Sequence, residues 1–188
     1  DALAYVLKTV HLQHGGKLSL TRVLAGHLDD GATLQSSSGE AGRVSGILAV
    51  SGAHDSKRPA AEAGDTVALG KLDAIKTGDT LSSGKTAPSS LLKVEPAPPV
   101  LAMSLSSADR KDDVKLGQAL LKLNEEDPSL TMIQNQRTHD TVLWGQGEMH
   151  LRVALERLKD RFGVNVKSQP PAIGYLETIR KSITQRGR

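Results

Sequence analysis

At 188 residues the chain has room for one large domain or two small ones, each with its own core; 38% of residues are hydrophobic and 24% charged, an ordinary globular balance. Aromatics are only 2%, so the cores must be built from Leu, Val, Ile and Ala, and a surface that stacks single-stranded bases is disfavoured. The chain has no cysteine, which excludes a disulfide framework and thiolate metal sites, and its formal charge of +3 is confined to the second half, the likelier face for an acidic partner.

No run of ~18 apolar residues could span a membrane, and no basic-then-apolar leader is present. The expected setting is cytoplasmic, with no membrane partner.

Residues 1–86 read as all-β. Apolar runs at Ala2–Val10, Lys17–Leu24, Arg43–Val50 and Thr66–Leu69 are separated by turn chemistry at Gly15-Gly16, Asp29-Asp30-Gly31, Ser38-Gly39, Gly64-Asp65 and Gly78-Asp79. Such spacing without an intervening helix predicts a small antiparallel barrel. The polar His54–Pro59 stretch reads as a solvent loop. From Ser82 the composition shifts to Ser, Pro and Lys, ending in Pro96-Ala97-Pro98-Pro99, so residues 87–99 form an extended, semi-rigid linker.

After the linker, Val100–Ser106 alternates as a strand does. Asp109–Asn124 has helical period, with Val114, Gly117, Leu120, Leu121 and Asn124 along one side, and Asp127-Pro128 ends it. Leu130–Gln136 and Thr138–Leu143 predict two strands. Met149–Phe162 carries Leu151, Ala154, Leu155, Leu158 and Phe162 as an amphipathic stripe that Gly163 stops, and Val164–Lys167 predicts a last strand. The order β-α-β-β-α-β over residues 100–170 is that of a ferredoxin-like sandwich. Residues 171–188 begin a following unit, with Ile173–Ile179 as one more strand and a basic tail of Arg180, Lys181, Arg186 and Arg188.

The candidate chemistry is thin. Ser83-Gly84-Lys85-Thr86 spells the end of a phosphate-binding loop, but Asp79 stands where its first glycine belongs and prolines follow where a helix should. Gly145-Gln146-Gly147 sits at a strand-to-helix join, which permits either a phosphate cradle or a tight turn. It lacks the third glycine of a dinucleotide fingerprint, His150 being there instead. Neither His11-x-x-His14 nor Glu148-x-His150 has the spacing and company of a metal site. No Gly-x-Ser-x-Gly elbow presents a nucleophile. This chain is therefore expected to be non-catalytic, with no cofactor of its own.

The words within this frame are more specific. Gly15-Gly16-Lys17-Leu18-Ser19-Leu20-x-Arg22-Val23-Leu24-x-Gly26, Ala63-Gly64-Asp65-x-Val67-Ala68 and Lys76-Thr77-Gly78-Asp79-Thr80-Leu81 resemble the second domain of elongation factor G. Glu126-Asp127-Pro128-Ser129-Leu130, Gly145-Gln146-Gly147-Glu148-Met149-His150-Leu151, Glu156-Arg157-Leu158 and Phe162-Gly163-Val164 resemble its third domain. Pro171 and Tyr175–Ile179 resemble the passage into its fourth. The sequence departs from the common pattern at Trp144 and at His11-Leu12-Gln13-His14, in the direction of a factor G-like paralogue.

The resemblance implies a parent protein that is a ribosome-bound GTPase using GTP and Mg, with its nucleotide domain before Asp1 and tRNA-mimicking domains after Arg188. It implies the ribosome (rRNA and ribosomal proteins) and the GTPase domain in cis as partners. The fragment would relay nucleotide state through a hinge at Pro96, Pro98 and Pro99 and through Gly145, Gly147, Glu148 and His150. The alternative is a stand-alone RNA-binding module using Arg137, Arg152, Lys159, Arg180, Lys181, Arg186 and Arg188.

Overall fold

The structure is a computed structural model; it describes residues 1–12, 16–52, 54–138, 140–178, 180–182 and 184–185. The first half is built on a long hairpin of β1 (Leu3–Leu12) and β2 (Gly16–Ala25). Around it lie β3 (His27–Asp29), β4 (Thr33–Ser36), β5 (Ala41–Arg43), β6 (Ile47–Ser51), β7 (His54–Arg58), β8 (Ala60–Glu62), β9 (Thr66–Gly70) and β10 (Thr80–Ser82). Eight of these form one antiparallel sheet in the order β5-β4-β10-β1-β2-β9-β6-β7, while β3 pairs with β8. Both sheets enclose one core of small and branched aliphatics, among them Val6, Val23, Leu28, Leu34, Ile47, Leu69, Leu72, Ile75 and Leu81. Burying each of the larger ones contributes roughly 1.5–3 kcal/mol. The expected small antiparallel barrel is present.

The second half contains β11 (Leu101–Ser107), α1 (Asp113–Glu126), β12 (Thr131–Gln134), β13 (Thr141–Gly145), α2 (Glu148–Phe162) and β14 (Val166–Gln169). The antiparallel sheet order β12-β13-β11-β14 with both helices on one face is the ferredoxin-like sandwich that the sequence predicts. Leu120, Leu123, Leu143, Leu151 and Leu158 fill the space between helices and sheet. The opposite face carries Ile133, Val142 and Trp144, and the chain after β14 partly crosses it, placing Pro171, Ala172 and Gly174 beside them.

Four local expectations fail for physical reasons. His54–Arg58 is strand β7, not a loop: its polar side chains are mostly exposed because it is an edge strand, paired among the described residues with β6 alone. Arg43–Val50 is not one run but is divided between β5 and β6. In α1 the buried stripe is Leu116, Ala119, Leu120 and Leu123, whereas Val114 and Leu121 are exposed. Ile173–Thr178 forms no strand, and its apolar side chains Ile173, Tyr175 and Leu176 face solvent; Ile179 lies outside the described residues.

Candidate functional site

The turn between β13 and α2 is held by His150. The backbone N–H of Gln146 donates to its Nδ1 at 3.1 Å, so the ring proton is on Nε2, which lies 3.0 Å from Asp127 Oδ2. Asp127 is the residue that ends α1. Burial opposes its ionisation, but hydrogen bonds from the Ser129 hydroxyl, His150 and the Ser129 N–H outweigh burial and hold its carboxyl below the usual range. Gln146 also donates from Nε2 to Ala97 O at 2.7 Å, and the N–H of Val100 to Gly145 O at 2.9 Å, which fastens the end of the linker to the same turn.

Gly145 is required by close packing: a Cβ there would stand 2.9 Å from Leu151 Cδ2 and 3.2 Å from His150 Nδ1. At Gly147 a Cβ would meet nothing within 4 Å. Glu148 is exposed in the first turn of α2, where its charge suits the helix dipole. Leu151 N–H makes the first helical bond, to Gly147 O, and α2 starts directly from the turn. The geometry is that of a packed turn that orients α2. Ser83–Thr86 likewise forms bends beside the chain start, Ser83 Oγ accepting from Ala2 N–H at 2.7 Å.

A second constellation joins the two domains. His11 and Lys17 are cross-strand partners near the tip of the β1–β2 hairpin, so the antiparallel register delivers them side by side. Both reach Glu125 Oε2, His11 Nε2 at 2.8 Å and Lys17 Nζ at 3.2 Å. The next residue, Glu126, has a side chain only 3% exposed. Its carboxylate accepts from Arg161 Nη1 at 2.7 Å and Nη2 at 2.8 Å, and from the backbone N–H of His11 at 2.7 Å. Arg161 Nη2 also donates to His11 O at 2.6 Å. Thr77, bonded to Thr9 within the barrel, donates to Glu125 O at 3.4 Å.

Burial works against ionisation of Glu125, but the hydrogen bonds from His11 and Lys17 prevail and lower its pKa. These two glutamates occupy the last turn of α1, which contains no basic residue of its own. Carboxylates there oppose the helix dipole. The compensating cations come from β2 and α2. Sequence reasoning missed this clasp; its one signal was the paired acids at a helix C-terminus.

The predicted cations do not converge. Arg152 pairs with Glu156 on the exposed face of α2, Lys159 is exposed one helical repeat further on, and Arg137 lies in the β12–β13 connection against Gly174. Arg180 and Lys181 are exposed, and Arg186 and Arg188 lie outside the described residues. In the linker, Pro96 and Pro98 are exposed and Pro99 half-buried.

The sequence model described as Elongation factor Tu domain 2 matches residues 16–82, and that described as Elongation Factor G, domain III matches residues 96–170. An elongation factor G-like protein of Synechocystis sp. is 44% identical over 99% of this chain and 27% of its own length. Elongation factor G of Thermotoga neapolitana is 38% identical over 92% of the chain and 25% of its length. A crystal structure of a Thermus thermophilus protein superposes with a TM-score of 0.80 at 33% identity, over 92% of this chain and 26% of that one. The chain thus spans about a quarter of the length of the curated relatives it matches. Barrel, sandwich and their order agree with these matches, and the chain belongs to the elongation factor G family, of which it represents the second and third domains.

Proposed function

We propose that this chain is the coupling segment of a cytoplasmic, ribosome-associated translational GTPase, passing the nucleotide state of a preceding GTP- and Mg-binding domain to domains that follow. The observation that carries the reading is the consecutive run Glu125-Glu126-Asp127. Its first two carboxylates grip the barrel and Arg161, while the third holds His150 in the turn that orients α2. A displacement of the barrel therefore pulls directly on the end of α1 and on that turn, through rigid, hydrogen-bonded groups. The linker around Pro96, Pro98 and Pro99 supplies slack, and the clasp supplies the mechanical connection.

The test is made in the full-length factor. Arg161→Ala should leave ribosome-stimulated GTP hydrolysis near wild type and slow the movement of tRNA and mRNA that follows. Unchanged rates of both steps would refute the relay. The stand-alone RNA module is not adopted, because Arg137 lies in the β12–β13 connection, apart from Arg152 and Lys159 on α2, and Arg152 is already paired with Glu156.

A further inference from the structure

Beside the clasp, the docked hairpin and the two helices leave a crevice of about 260 Å³ between the domains. Its polar wall consists of Lys115, Gln118 and Lys122 from α1, with His11 and Arg161 opposite. The three α1 residues are spaced i, i+3, i+7 and so form one stripe facing the barrel. Every polar side chain in this wall offers a donor, and no carboxylate among the described residues lines it.

The local charges do not cancel. Glu125 is met by Lys17 and His11, and Glu126 by Arg161. Lys115 Nζ donates a hydrogen bond to Gly163 O at 3.1 Å, which leaves its charge uncompensated by any carboxylate among the described residues, and Lys122 stands exposed on the same stripe. The crevice thus holds two ammonium groups beyond what the clasp neutralises.

We propose that this crevice takes a phosphate group of an RNA strand, with Lys115 and Lys122 on its oxygens and the Gln118 amide as a further donor. Planar, two-pronged recognition of a carboxylate needs a guanidinium fork. The fork here, Arg161, is already closed on Glu126. What remains are point charges on flexible stems, which suit a phosphodiester. Phe162, on the floor, has the Arg161 guanidinium 5.7 Å from its ring centroid, so that face is not open for stacking a base. The contact reads charge and is indifferent to sequence. It deepens the ribosomal reading by placing an RNA strand at the domain junction, and it rests on that reading for the source of the RNA.

The experiment titrates this chain into fluorescently labelled 12-nucleotide oligouridylate and oligoadenylate over a range of salt. Both should bind alike, with log K falling linearly against log salt. Lys122→Ala should make that slope shallower by about 0.7, the value per phosphate on a single strand, and Lys115→Ala with Lys122→Ala by about twice that. Lys122 is exposed, so its variant keeps the fold. The proposal is overturned if Lys122→Ala binds as wild type at every salt, or if the wild-type chain binds neither oligonucleotide. It also fails if Arg152→Ala and Lys159→Ala remove the slope instead, or if polyglutamate displaces the RNA at equal charge, which would mark an acidic protein as the occupant. None of these readouts involves nucleotide hydrolysis, so failure here leaves the coupling reading standing.

Discussion

The barrel and the sandwich are connected twice, once covalently and once not, and the two connections differ in kind. The linker from residue 87 to 99 is almost wholly exposed and is tied down at a few points, among them Leu91 N–H on Thr80 Oγ1 and Gln146 on Ala97 O. The clasp buries a carboxylate, closes a two-pronged arginine pair and recruits backbone from the opposite domain. Loss of a few exposed contacts costs little, while loss of one partner of a buried pair leaves the other charged and desolvated. The relative placement of the domains is therefore set where the chain is not continuous, and the peptide connection only keeps the domains near each other.

The largest effect expected from that contrast is in Arg161→Ala. It strands Glu126 in a dry site and should cost about 3 kcal/mol in chemical denaturation, with the sandwich unfolding apart from the barrel. A cost near zero would break the comparison. Gly145→Ala sharpens it at the turn the clasp feeds: the added Cβ meets Leu151 and His150, so a loss of about 1–3 kcal/mol is expected, against a far smaller loss for Gly147→Ala.

Acid should loosen the same region. Glu125 and Asp127 have folded-state pKa values below the ordinary 4.5 and 3.8, so they bind fewer protons folded than unfolded. Their contribution is complete above those ordinary values and disappears as pH falls through the lowered ones. A urea titration series from neutral pH to below pH ~3 should show this loss, and Glu125→Gln with Asp127→Asn should flatten it. Gly117→Ala, in an open helical position, should add up to about 1 kcal/mol, because alanine is the better helix former and nothing obstructs its methyl. Least of all, replacing Pro96, Pro98 and Pro99 with glycine should change stability by no more than about 0.5 kcal/mol and leave the docked shape unaltered in small-angle scattering. A large change in shape would return the mechanical role to the linker.

Much of the fold was legible because its signals are local. The stripe Leu151, Ala154, Leu155, Leu158 with Gly163 after it brackets α2 closely, since period and cap agree. Asp127-Pro128 marks the end of α1 for the same reason. The face of α1 was misjudged because the helix carries apolar residues on more than one side, and Val114 and Leu121 do not enter the core. β7 was missed because an edge strand needs no apolar alternation. The turn at Gly145–Leu151 could be named from sequence, but its dependence on Asp127 could not. The clasp was illegible because His11, Lys17, Glu125, Glu126 and Arg161 each look like ordinary charged or polar residues, and only the tertiary fold joins residues so far apart in the chain.

That separation has a consequence for how the protein is made. The bond from Arg161 to His11 spans 150 residues. During synthesis the barrel, whose last strand ends at Ser82, can assemble long before residue 161 leaves the ribosome. The two glutamates at the end of α1 then emerge facing an unfavourable helix terminus, and the finished hairpin already presents Lys17 and His11 to receive them. The first domain thus acts as a template for completing the second, so defects in the barrel hairpin should appear as late misfolding of the sandwich.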